Sequence, residues 1–255
     1  MLLEVMKVWK SFGGVQAICD LNLGVDKGEI VGIIGPNGAG KTTIFNVISG
    51  VYTADKGSVI LDGQNITKLP QHEITKLGIG RTFQNIRLFK GLSTIENVMC
   101  AFDPQSKYGF IDSILPTPKR MSEEKRGLEL CKHYLEIVGL KDKLHSEPQN
   151  LAYGHQRRLE IARALMCNPK VLLLDEPAAG LNPTEISELS NLIVDLGKKF
   201  GFAIILIEHR LELVMGISHR IFVQNFGKTI SVGTPEQVRD DPEVIKAYLG
   251  AEEGK

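Results

Sequence analysis

Gly35-Pro36-Asn37-Gly38-Ala39-Gly40-Lys41-Thr42-Thr43 sets glycines, a lysine and two hydroxyl residues in an order suited to holding phosphate. The glycines let successive backbone N–H groups turn toward one anion. The start of a helix adds partial positive charge, and Lys41 brings a full charge to the outer phosphates. Thr42 is placed to hold Mg²⁺ through its hydroxyl. A glycine turn that merely joins a strand to a helix needs neither the lysine nor the threonine at those offsets.

A phosphate cradle needs further groups to hold the metal and activate water. Val171-Leu172-Leu173-Leu174-Asp175-Glu176 supplies two carboxylates at the end of an apolar run. In a doubly wound sheet that strand edge is where ligands bind, so Asp175 reaches the magnesium shell and Glu176 sits one residue further, toward a γ-phosphate. Glu176 is the expected base that polarises the attacking water. A strand that simply ends in solvated acids is the plain alternative for that pair taken alone. Phe202 to Ile207 ends similarly, in Glu208-His209. A His209 ring nitrogen there is suited to bonding the γ-phosphate and keeping water and base in register. His72, His133, His145 and His219 lack such a setting, and no role is assigned to them.

The elements that must carry these groups follow from hydrophobic patterning. Leu2 to Val8, Leu21 to Val25 and Ser58 to Leu61 read as short strands separated by turn residues, the pattern of an antiparallel β layer. Glu29 to Ile34, Val171 to Leu174 and Ala203 to Ile207 are nearly all apolar and predict a parallel sheet covered on both faces. Between Gln84 and Pro169 the strand signal gives way to helices, Ser122 to Val138 and Gly154 to Met166, with a Pro-rich connection around Asp103 to Pro118. The expected architecture is α/β: a core of residues 1–83 and 170–255 with an antiparallel layer, and a helical lobe of residues 84–169 inserted into it. In Gly154 to Met166, Leu159, Ala162, Leu165 and Met166 share one face, leaving Arg157, Arg158 and Glu160 on the others. Asn182, Pro183 and Glu185 spell a helix start with a capping box.

Composition narrows the function classes. Lys+Arg and Asp+Glu are each 30 in 255 residues, a formal net charge of zero that offers no broad electrostatic grip on nucleic acid. Cys19, Cys100, Cys131 and Cys167 have no CxxC spacing, which favours buried free thiols in a reducing compartment over a zinc site. Met1 to Lys10 has no secretory h-region, and no apolar run approaches the roughly 20 residues that span a bilayer. The expectation is a cytosolic protein whose membrane link comes through a partner.

Together these motifs resemble the ATP-binding cassette (ABC) ATPase family, over essentially the whole chain. The resemblance makes Gly35 to Thr43 the Walker A loop for ATP, and Val171 to Glu176 the Walker B strand with its glutamate. It places Gln84, in Arg81-Thr82-Phe83-Gln84, where the family's Q-loop glutamine contacts Mg²⁺ and the attacking water. His209 matches the switch histidine, and Phe12 the aromatic residue that stacks on adenine. The implied catalytic set is Glu176, His209 and Gln84; the implied metal set is Thr42, Gln84 and Asp175.

The family signature, usually Leu-Ser-Gly-Gly-Gln, stands here as Leu151-Ala152-Tyr153-Gly154-His155. By resemblance, Ala152, Tyr153, Gly154 and His155 meet the γ-phosphate bound by a partner subunit, so that ATP is clamped between two cassettes. Ala152 removes a hydroxyl but leaves the helix amides and dipole, and one lost hydrogen bond to a charged group is worth roughly 1.5 to 3 kcal/mol. Asn182 likewise stands in place of the usual D-loop aspartate.

Leu-Ala-Tyr-Gly, Asp175 to Pro183 and the tail from Gly233 to Gly250 are similar to the ATPase subunits of branched-chain amino acid importers. The stretch Asp103 to Met121 suggests the longer of their two paralogues. The implied partners are a second ABC ATPase subunit (self or paralogue), integral-membrane permeases and, indirectly, a periplasmic or lipid-anchored substrate-binding protein, with the chain peripheral on the inner face of the cell membrane. An ATPase of another transporter, such as lipopolysaccharide export, stays open at this point. So does a soluble ABC ATPase of DNA repair or translation, although the coiled-coil insertion, second cassette or basic arms such proteins carry are not found.

Overall fold

The computed structural model describes residues 1–102 and 117–252. The chain divides into two compact units, Met1–Gln84 with Lys170–Lys255, and Asn85–Pro169. Most of the Asp103 to Met121 stretch lies outside the described residues.

The first unit holds two sheets. β1 (Leu3–Phe12), β2 (Val15–Val25), β4 (Lys56–Leu61) and β5 (Gln64–Asn65) form an antiparallel sheet in the order β2-β1-β4-β5. The second sheet is mixed, in the order β10-β9-β3-β8-β7-β6. It comprises β3 (Ile30–Ile34), β6 (Ile79–Arg81), β7 (Val171–Asp175), β8 (Ala203–Ile207), β9 (Arg220–Asn225) and β10 (Lys228–Gly233). All its pairings are parallel except β9 with β10. β3, β7 and β8 are buried along their whole length, which is why their sequences are continuously apolar rather than alternating. One cluster of buried side chains joins both sheets: Leu3, Leu23 and Leu61 meet Val31, Leu173 and Ile205, with Ile44, Phe45 and Ile48 of α1 (Lys41–Ile48). Each such side chain contributes about 1.5–3 kcal/mol on leaving water.

β1 and β2 run well beyond the expected Leu2–Val8 and Leu21–Val25, closing as a hairpin from Leu3↔Val25 to Phe12↔Val15. The register shifts between Val5 and Val8, where Lys7 takes φ 47°, so the period-2 pattern breaks mid-strand. Gln84, which the sequence sets at the head of the inserted lobe, belongs to the first unit. The three-residue strand β6 leads directly to it, and the Thr82 N–H still donates to the Leu173 carbonyl at 3.0 Å.

The remaining helices of this unit include α2 (Gln71–Leu77), α6 (Pro183–Phe200), α7 (Leu211–Ile217), α8 (Pro235–Arg239) and α9 (Pro242–Glu252). His219 is structural: its Nδ1 accepts the Ile30 N–H at 2.9 Å, tying the start of β9 to β3.

The described part of the second unit is helical, with α3 (Thr94–Met99), α4 (Pro118–Ile137) and α5 (Tyr153–Met166). α4 starts four residues before the expected Ser122, because Thr117 caps it by accepting the Arg120 N–H and Pro118 occupies the first turn. On α5, Arg157 and Glu160 are not solvated, contrary to the helix-face reading. Both are buried and paired at 3.3 Å, with Tyr153 Oη accepting from Arg157 at 3.0 Å and Glu160 accepting the Arg87 N–H at 2.9 Å. Charged groups enter a core when they are paired and hydrogen-bonded, and these partners lie partly outside the helix. The cysteines are free; Cys19 and Cys131 are buried as expected, but Cys100 is exposed. Burial pushes the Cys131 thiol up to about 12.

Candidate functional site

Four parallel strands that neighbour one another, β3, β8, β7 and β6, each end in a group singled out from sequence. β3 runs into the glycine loop, β8 into Glu208-His209, β7 into Asp175-Glu176 and β6 into the segment bearing Gln84. Parallel pairing puts all four C-terminal ends on one edge, where loops are free to converge.

The glycine loop is shaped by contacts that exclude side chains. Gly35 takes φ 149° and a Cβ there would strike the Gln224 carbonyl; Gly40, at φ 95°, would strike that of Ala17. Gly40 is also the N-cap of α1, so no side chain covers that helix start. Lys41 is 5 % exposed, and its Nζ donates to the carbonyls of Gly35 at 2.7 Å and Pro36 at 2.9 Å. Burial pulls its pKa down, opposed by the charges of Glu176 and Asp175. The ammonium therefore sits in the loop's own ring of oxygens, close enough to both acids to feel them. Thr42 is exposed at the head of α1.

Asp175 is gripped from one side. Arg81 donates to its Oδ2 at 3.0 Å in a pair that is 7 % and 2 % exposed, and the same guanidinium donates to Asn46 and Ser49. Oδ1 of Asp175 is buried and has no hydrogen-bond partner among the described residues. Burial pushes its pKa up, with the Arg81 contact opposing. The orphaned Asp175 oxygen, with the Thr42 hydroxyl and the Gln84 amide oxygen as the other candidate donors, makes an all-oxygen set whose chemistry fits Mg²⁺, which needs few protein ligands when phosphates and water complete its shell. The described residues contain no group of three His, Cys, Asp or Glu suited to a different metal.

Glu176 sits at the centre. Its backbone is left-handed, φ 47°, a strained conformation for a residue with a Cβ. Its Oε2 accepts from Gln84 Nε2 at 2.9 Å, and its Oε1 meets His209 Nε2 at 2.6 Å. The three residues expected to act together are thus in direct contact, and the side chain of Glu176 is only 13 % exposed. Phe12 stands exposed at the end of β1, edge-on to Tyr52 with ring centres 5.0 Å apart.

Ala152, Tyr153, Gly154 and His155 belong to the second unit. Ala152 is the N-cap of α5 and makes no side-chain cap, so no hydroxyl or carboxylate of its own covers the first-turn amides. Tyr153 is exposed, and its hydroxyl is occupied by Arg157. Asn182 caps α6, with both arms of the predicted capping box formed at 3.0 Å.

Sequence reading missed three contributors. Arg81 stood inside a quoted motif without a role; its charge at the end of a three-residue strand was the available signal. Glu208 stood beside His209 and is buried. Tyr248 on α9 has its pKa raised by burial, with the backbone of Gly35 opposing, a long-range neighbour with no local signature.

Residues 18–179 match the family model described as ABC transporter, and residues 228–254 match that of branched-chain amino acid ATP-binding cassette transporters. The chain is 46% identical to a high-affinity branched-chain amino acid transport ATP-binding protein of Escherichia coli, covering 98% of each. It is 36% identical to a lipopolysaccharide export system ATP-binding protein of Haemophilus influenzae, covering 98% of this chain and 97% of that one. A crystal structure of a nucleotide-free ATP-binding cassette from an ABC transporter superposes with a TM-score of 0.84 at 32% identity, over 97% of this chain and 98% of that one. A dimeric cassette in a post-hydrolysis state bound to ADP and Pi gives 0.76 at 26% identity, over 91% and 98%.

Proposed function

The chain belongs to the ABC transporter family of ATP-binding cassettes, and from that premise we propose that it powers an importer of branched-chain amino acids by Mg-ATP-driven closure of two cassettes. The observation that carries the reading is Glu176, a carboxylate held at one oxygen by Gln84 and at the other by His209, on the strand edge that also bears the phosphate loop. The higher identity to the branched-chain amino acid protein than to the lipopolysaccharide export protein, and the match of residues 228–254, support the solute class.

The glycine loop, from Gly35 through Pro36, Asn37, Gly38, Ala39 and Gly40 to Lys41, Thr42 and Thr43, wraps the phosphates with backbone N–H groups. Lys41 exchanges its contacts with the Gly35 and Pro36 carbonyls for phosphate oxygens, and Phe12 offers its exposed ring to the adenine. Thr42, Gln84 and Asp175 would hold Mg²⁺, which neutralises charge developing on the phosphates. Glu176 takes a proton from the water that attacks the γ-phosphorus. His209 steadies that carboxylate and bonds the γ-phosphate, and Gln84 orients the water. The amides of Gly154 and His155, with Ala152 and Tyr153, complete the site of a second cassette, so turnover depends on that partner.

Among the described residues no helix is long and apolar enough to cross a membrane. We place the chain on the inner face of the membrane, bound to permease subunits that receive solute from a binding protein, on the strength of its likeness to branched-chain amino acid transport ATP-binding proteins. Glu176→Gln in the assembled transporter tests the chemistry: steady-state ATP hydrolysis should fall by about 10²–10⁴-fold. Unchanged hydrolysis would remove Glu176 from its role. Co-purification of permeases from native membranes tests the setting, and nuclease-sensitive association in their place would point to a nucleic-acid ATPase.

A further inference from the structure

Glu208 has no part in the reading above. It directly follows β8 and is 2 % exposed. Its Oε1 accepts the Ala178 N–H at 2.7 Å, and its Oε2 accepts the N–H groups of His209 at 3.1 Å and Arg210 at 3.4 Å. Ala178 lies two residues beyond Glu176, whose Oε1 meets His209 Nε2 at 2.6 Å.

These contacts close a ring. It runs from Glu176 along Pro177 to Ala178, across the hydrogen bond to Glu208, along one peptide to His209, and back through the imidazole to Glu176. A second tie between the same loops, Arg210 Nη2 to the Leu181 carbonyl at 3.4 Å, lies outside the ring. A carboxylate buried this deeply costs free energy unless its oxygens are bonded, and here the donors are backbone groups of the two loops that carry Glu176 and His209. Burial accordingly pushes the Glu208 pKa up, while the three N–H donors pull against that rise.

We propose that Glu208 is a positioning residue for hydrolysis: it fixes the loop of His209 to the loop of Glu176 and so sets the imidazole against the carboxylate that takes the proton from water. The proposal rests on the roles given above to Glu176 and His209. A buried acid that only stabilised its turn would alter stability without acting through His209.

The test is ATP turnover by the full chain in the assembled transporter for wild type, E208Q, E208D, H209A and the double variant E208Q/H209A, with affinity followed by a fluorescent ATP analogue. A glutamine puts an NH₂ where one carboxylate oxygen stood, so it sets donor against donor at either the Ala178 or the His209 N–H. Glu208→Asp keeps the charge but is one methylene too short to bridge the loops. The expected result for both single variants is a fall in kcat of roughly 10- to 100-fold with KM and nucleotide affinity held within about twofold. In the H209A background the further loss from E208Q should vanish. Wild-type turnover in E208Q or E208D beside an impaired H209A would overturn the proposal. So would losses that multiply in the double variant. Full turnover in H209A itself would instead overturn the assignment of His209, and this inference with it.

Discussion

At the residue scale, the site depends on pairs of charged groups held where water is scarce. Arg81 is the clearest case, since its guanidinium fixes one oxygen of Asp175 and leaves the other orphaned. Removing one partner of a buried pair strands the other. Arg81→Leu should therefore cost about 3–5 kcal/mol of stability in urea unfolding, with weakened Mg²⁺-dependent nucleotide binding. A loss below about 1 kcal/mol would mean the pair is solvated in solution. Glu208 provides a pH test. Its pKa is raised on folding, so its contribution to stability is complete below the ordinary carboxylate range and is lost as pH rises through the raised value. Glu208→Gln stays neutral, so the stability difference should move in favour of the variant as pH rises over that window. Unfolding free energies across a pH series would show it, and a flat difference would contradict it.

At the element scale, the strands that carry the site were legible because burial on both faces makes β3, β7 and β8 continuously apolar. The start of α6 was legible because Asn182, Pro183 and Glu185 encode it locally; Asn182→Ala should cost about 0.5–2 kcal/mol by thermal unfolding. The phosphate loop is equally local. Gly40→Ala must drive a Cβ into the Ala17 carbonyl at a left-handed φ, so nucleotide affinity should fall by at least about tenfold; unchanged affinity in isothermal titration would refute the fit. What stayed illegible depends on distant partners. β6 is three residues long and exists by pairing with β7. Lys7 breaks the alternation that would have extended β1. Arg157 and Glu160 looked solvated because one of the groups that satisfies Glu160, the Arg87 backbone N–H, lies 73 residues away. Glu208 showed no role until the Ala178 N–H was brought to it from another strand's loop.

At the scale of the whole molecule, one half of the proposed hydrolytic site falls in the first unit and the proposed signature helix in the second. Glu176 already meets Gln84 and His209, and the remaining donors to the γ-phosphate are proposed to come from another cassette. Ala152 offers that proposed clamp no hydroxyl, while the amides at the start of its helix carry no side-chain cap. A related cassette, 26% identical, forms a dimer bound to ADP and Pi. The measurement that bears most directly on the central claim is the mass of Glu176→Gln in solution, by sedimentation or light scattering, with and without Mg-ATP. Loss of hydrolysis should trap the closed pair, so Mg-ATP should double the mass, and removing the nucleotide should reverse it. A variant that binds ATP yet stays monomeric at saturating nucleotide, with or without its paralogue, would contradict it.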